Sequence, residues 1–124
     1  MQVGEIQKNV VDFIEKQGIK IDSNEIYLTR KKVGHALRDN KNPKQKLSVE
    51  QLKRIEQVIQ KNDVYFDLKK QNIIFVDTLP DEEIKENRNW VKFPVNLYKH
   101  PQVATACIVP EESIIKSKEI KKIE

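Results

Sequence analysis

Glycine is scarce in this chain, with three in 124 residues. No G-x-x-x-x-G-K-[ST] or G-x-G-x-x-G run is present, so a glycine-rich phosphate loop is excluded. One cysteine, Cys107, rules out an internal disulfide. It lies in the apolar run over residues 103–109, where a thiol reads as a small buried hydrophobe. A single thiol also suits a reducing compartment, and a cytoplasmic location is expected. The two histidines, His35 and His100, belong to no Cys/His cluster, so neither a structural zinc site nor any other cofactor is expected. No apolar stretch approaches the length of a membrane span, and residues 1–20 show no signal-peptide pattern. A membrane partner is therefore not expected.

Charge is what the chain has in quantity. Charged residues make up 34% and hydrophobic residues 38%, with a net charge of +4. That balance is polar yet able to bury one modest core, so the chain reads as a single domain over residues 1–124. The positive surplus is uneven. Residues 29–46 are rich in Lys and Arg, whereas Asp81, Glu82, Glu83 and Glu86 form an acidic patch that reads as solvated. A basic surplus permits a nucleic-acid partner without requiring one.

Hydrophobic spacing organises the rest. Residues 5–17 read as an amphipathic helix with Ile6, Val10, Phe13 and Ile14 on one face, stopped at Gly18. Ile26, Tyr27 and Leu28 read as a short strand. Thr29 is a good N-cap for the helix that follows. Ser48 and Gln51 form a capping-box pattern ahead of Leu52, Ile55, Val58 and Ile59, and that helix ends near Asn62. Residues 64–68 and 72–77 then read as a hairpin, residues 90–98 as a strand and residues 103–109 as another. In the third strand Val91, Phe93, Val95 and Leu97 alternate with Trp90, Lys92, Asn96 and Tyr98; Pro94 implies an edge position or a bulge. The tail from Glu111 reads as a frayed helix. The expected fold class is α+β, with N-terminal helices packed on one face of a roughly four-stranded antiparallel sheet. The other face is left solvated or as a shallow cleft. Leu52, Ile55, Ile59, Phe66, Ile74, Val95 and Ile108 are the expected core.

The most informative stretch is residues 29–39. Val33 and Leu37 lie one turn apart and can face a core. Lys31, His35 and Arg38 fall at i, i+4 and i+7 and form a second stripe. Two fixed cations then flank the one side chain that titrates near neutrality. Metal-free RNA cleavage needs a base for the 2′-hydroxyl, an acid for the leaving 5′-oxygen and a cation for the charged phosphorane. His35 is the first choice for base or acid. Arg38 and Lys31 can clamp phosphate, Arg38 with its fork of donors. Lys92 projects from a strand opposite its apolar neighbours, Thr105 carries a hydroxyl, and Thr29 is free for substrate if it does not cap. Trp90 and Tyr98 can stack bases. Each has a plain structural alternative: a solvated helix face, a polar sheet face, or strand packing. His100, before Pro101 in a turn, is given little chemistry.

The order of a strand entering the His35 helix, then a four-stranded meander, resembles the barnase/EndoU/colicin/RelE-like nuclease fold, and most of all its phage-associated members. The resemblance is carried by Ile26-Tyr27-Leu28-Thr29 leading to Gly34-His35-Ala36-Leu37, by the hairpin Val64-Tyr65-Phe66-Asp67 with Ile73-Ile74-Phe75-Val76, and by Val103-Ala104-Thr105-Ala106. It covers roughly residues 24–120, with residues 1–20 as an added helix. It implies an endoribonuclease or nuclease-like toxin of phages or mobile elements, with RNA as substrate and a phage or immunity protein as a further partner. On that basis His35, Arg38 and Thr105 are the catalytic candidates, and Lys31, Lys92, Thr29 and Trp90 the substrate-binding ones. A non-catalytic binding or assembly module of the same fold is the alternative. A helix-turn-helix DNA binder fits poorly, because residues 40–47 are too long for that motif's turn and the strand-rich half is left without a role.

Overall fold

The computed structural model describes residues 1–37, 48–98 and 100–124, the side chains of 34–37 excepted. Among these, the chain runs β1 (Gln2–Glu5), α1 (Lys8–Lys16), β2 (Glu25–Tyr27), α2 (Arg30–Leu37), α3 (Val49–Lys53), α4 (Ile55–Lys61), β3 (Val64–Asp67), β4 (Asn72–Thr78), a 3-10 turn (Asp81–Glu83), β5 (Trp90–Asn96), β6 (Gln102–Val103), β7 (Cys107–Val109), α5 (Glu112–Ile115) and β8 (Ile120–Lys122). The α+β class holds. The sheet, however, has eight strands in the order β1-β2-β6-β5-β4-β3-β8, with β7 also on β5. All pairs are antiparallel except β2 with β6, which is parallel at Tyr27 and Gln102.

Helix α1 follows the expected spacing. Val10 and Ile14, one turn apart, are fully buried, and Phe13 lies over Phe66 with ring centroids 5.4 Å apart. The helix stops at Gly18, whose φ of +81° only glycine adopts freely. Residues 2–5 are a strand instead of the helix's first turn. Val3 and Ile6 bury from that strand and its exit, and Gly4 lies so close to α4 that a Cβ there would sit 2.6 Å from Ile59 Cγ2. The Ser48–Gln51 capping box is formed in both directions. The helix it starts breaks at Arg54 into α3 and α4 and ends at Asn62 in the left-handed conformation.

The central hairpin has β3 and β4 in register from Val64↔Phe75 to Asp67↔Asn72. Strand β4 in turn pairs along β5 from Ile73↔Val95 to Thr78↔Trp90. Alternation divides the side chains between two cores. Phe66, Ile73, Phe75, Val91, Phe93 and Val95 meet the helices in the larger one. Tyr65, Ile74, Val76, Trp90 and Val109 form a smaller one beneath Ile114 of α5. The second sheet face is thus partly covered by the tail, in which the expected helix is the short α5 and residues 120–122 add an edge strand. Every residue expected in the core is buried. Pro94 is in a central strand, not at an edge. In the acidic patch Asp81, Glu82 and Glu86 are exposed as expected, and Glu83 alone is half-buried. Glu83 accepts from Arg54 Nη1 and Nη2 at 3.1 and 3.0 Å and from Gln51 Nε2 at 3.1 Å.

Candidate functional site

Helix α2 grows directly out of β2. Leu28 is buried, and Thr29 Oγ1 accepts from the Lys32 amide at 3.2 Å, so the Thr29 hydroxyl is engaged as a cap. Val33 packs against the larger core, which sets α2 on the same side of the sheet as α1, α3 and α4. Lys31 is exposed on its outer side. The backbone of His35 lies within α2; its side chain, and all of Arg38, fall outside the described residues.

The remaining candidates come from the strands. Because β2 and β6 run parallel, their C-terminal ends lie together, and Thr29 and Thr105 each follow by two residues. Strand β5 runs the other way alongside both β6 and β7. Val95 faces Val103 and Lys92 faces Cys107, so three steps on β5 are matched by four on the partner. The additional residue makes a β-bulge at Ala104–Ala106, opposite the proline. There the Ala104 amide donates to the Pro94 carbonyl at 2.8 Å. A bulge changes where side chains aim. Val103 and Ala106 both enter the larger core, leaving Ala104 and Thr105 half-buried between them. Lys92, also half-buried, is on the face of β5 shared with Trp90.

Lys92 is therefore paired with Cys107 and Thr105 stands in the bulge two residues before it, at the sheet end where β2 leads into α2. Trp90 is not available for stacking. It is 8% exposed, and its ring packs on Tyr65 at 6.1 Å beside Ile114. Lys31 and Val33 show that α2 packs on the larger-core face, whereas Lys92 is on the other. Among the described residues no group of His, Cys, Asp and Glu is arranged to hold a metal ion, and no helix is long and apolar enough to cross a membrane.

The opposite end of the sheet carries a feature that sequence reading did not assemble. An open cleft of about 930 Å3 lies where β4 begins, β5 ends and β6 begins. His100 is on its wall, with Nδ1 4.0 Å from Asp22 Oδ2. Lys20 and Lys70 also line it, as does Asn72, which is only 5% exposed. No family model, curated protein or solved structure matches this chain. The site must therefore be read from its own residues. Those of the cleft come from three separate loops, none with a motif of its own. The one local signal was the hairpin at residues 69–71, which fixes Lys70 and Asn72 side by side.

Proposed function

We propose that the chain is a metal-independent endoribonuclease, or nuclease-like toxin, associated with phages or mobile elements, with its site at the sheet end that holds the bulge. The observation that carries this reading is the placement of Lys92 and Thr105 at the β-bulge, at the sheet end where β2 feeds the histidine-bearing helix. In such a site a base removes the 2′-hydroxyl proton, the 2′-oxygen attacks phosphorus and the bond to the 5′-oxygen breaks. A cyclic phosphate and a 5′-hydroxyl result once an acid protonates the leaving oxygen. His35 is assigned the proton transfers. Lys92 and the Thr105 hydroxyl are assigned the charge that develops on the phosphorane.

A non-catalytic RNA-binding module is the second reading. It is favoured by the packing of α2 on the face opposite Lys92, which works against convergence of His35 and Lys92.

Incubation of mixed RNA with the wild type, His35→Ala and Lys92→Ala, each with and without EDTA, tests both readings. The nuclease reading expects cleavage that EDTA leaves intact, loss of cleavage in His35→Ala, and a drop of about 10²–10³ in rate for Lys92→Ala. RNA bound equally by all three proteins and cut by none establishes the second reading. Absence of RNA binding overturns both.

A further inference from the structure

We propose that the groove between strand β1 and helix α4 binds an extended basic segment of a partner protein, which adds to the sheet as a further strand beside β1. Strand β1 ends the sheet and pairs only with β2 among the described residues. The hydrogen bonds at its two ends show which backbone groups face away from β2. The Leu28 amide donates to the Met1 carbonyl at 2.8 Å, and the Ile6 amide donates to the Asn24 carbonyl at 2.7 Å. Opposed residues in an antiparallel pair alternate between bonded and non-bonded. Gln2 and Glu5, the register partners of Tyr27 and Glu25, each adjoin one of these bonded pairs. Their own N–H and C=O groups therefore point outward. The Tyr27 amide behaves in the matching way on the far side of β2, where it donates to the Pro101 carbonyl at 3.0 Å. Outward groups of this kind are a template for another strand.

These groups belong to one wall of a groove of about 460 Å3. Residues 2–5 form that wall, and Glu56, Ile59 and Gln60 of α4 form the other. No residue of β2 lines it, so the groove is on the outer side of β1. Val3 and Ile59 are buried, whereas Gln2, Glu5, Glu56 and Gln60 are exposed. The groove thus offers main-chain and polar groups with little apolar surface. That suits an occupant that bonds through its backbone and does not suit the apolar face of a helix. Glu5 and Glu56 are its charged residues, and no lysine or arginine lines it, in a chain whose net charge is +4. A basic occupant is therefore complementary to both walls.

The geometry also favours a flexible segment over the edge of a second copy. The register of β1 slips between Gln2 and Gly4, so the two outward residues are three apart in sequence and not two. A bulge bends its strand, and an occupant must follow the bend. A peptide can do so more readily than a strand already held in a folded sheet. The strand at the sheet's other end, β8, carries exposed Lys121 and Lys122, and edge lysines guard against strand addition. Strand β1 has no lysine. The inference does not rest on the nuclease reading, because none of the residues assigned to RNA lines this groove.

Three blocked hexapeptides test it by calorimetry and amide hydrogen exchange. One alternates lysine with valine, one alternates glutamate with valine, and the third is the lysine peptide with every amide N-methylated. The lysine peptide is expected to bind and to slow exchange at the Gln2 and Glu5 amides. The glutamate peptide should bind about tenfold more weakly. The N-methylated peptide keeps the charge but has no backbone donors, and should neither bind nor protect. Glu5→Gln combined with Glu56→Gln, both at exposed positions, should weaken the lysine peptide about fivefold. The proposal is overturned if the lysine peptide does not bind at about 1 mM, if either control peptide binds as tightly, if the double variant binds like the wild type, or if exchange at Gln2 and Glu5 is unchanged on binding. Slowing of those two amides with rising protein concentration and no peptide would make the occupant a second copy, and would overturn it as well.

Discussion

Tyr65 links burial to pH. Its ring is 8% exposed against Trp90, and burial pushes the phenol above its ordinary value, with Asp63 adding to the effect. A raised value in the folded state means that folding favours the protonated form. The associated stability is complete below the ordinary tyrosine value near about 10 and is lost as pH rises through the folded value. Tyr65→Phe should keep the packing and flatten the loss of stability between neutral pH and about pH 11, read as urea midpoints at the two pH values. An unchanged alkaline slope would refute this. Lys61, held above its usual range by its hydrogen bond to Asp77, contributes with the same sign, so the comparison is made with that residue intact. Glu83 shows what a local reading of charge misses. Three consecutive acids read as a solvated run, yet Glu83 takes both guanidinium nitrogens of Arg54, 29 residues earlier in the chain. Glu83→Gln should cost about 1 kcal/mol in a denaturant melt, the scale of a partly exposed bidentate pair.

At the scale of elements, what was legible was whatever neighbouring residues decide. The capping box at Ser48, the stop at Gly18, the left-handed end at Asn62 and the hairpin turn at residues 69–71 are set within a few residues, and each is formed. The strands at either end of the chain were not legible. Residues 2–5 carry too few apolar positions to distinguish a strand from a helix start. Residues 120–122 have no period of their own and become a strand only because β3 offers an unpaired edge. Strand β1 exists because Gly4 permits close approach to Ile59. Gly4→Ala forces a methyl group against that side chain, and overpacking of this kind costs about 1–3 kcal/mol. A urea melt of Gly4→Ala with an unchanged midpoint would show that β1 and α4 separate without cost. The parallel pairing of β2 with β6 was likewise invisible in the sequence, because 75 residues separate the register partners Tyr27 and Gln102. That pairing is what brings Thr105 to the end of the sheet from which α2 departs. Half of the candidate site was therefore named from the sequence without the reason for its assembly, and the cleft with His100 was not named at all.

The molecule as a whole is a mixed sheet with helices filling one face and the tail closing part of the other. The tail strand β8 is the element on which that closure depends. It pairs with β3 from Tyr65↔Lys122 to Asp67↔Ile120, the Ile123 amide donates to the Val64 carbonyl at 2.9 Å, and the Leu68 amide donates to the Glu119 carbonyl at 2.7 Å. Ile120 packs against the smaller core and Ile123, just after the strand, is buried in the larger one, so this segment ties both sides of the sheet. Ending the chain at Lys118 removes these bonds and leaves β3, with Tyr65 and Phe66, as an open edge. Unpaired edges of apolar strands template pairing with another chain. Loss of a buried isoleucine adds about 2–5 kcal/mol of destabilisation. The shortened chain, which retains α5, should therefore show a lower urea midpoint and, by size-exclusion chromatography, association that grows with protein concentration. A shortened chain that elutes as the full chain does at every concentration and melts at the same midpoint would mean that β8 only decorates the sheet.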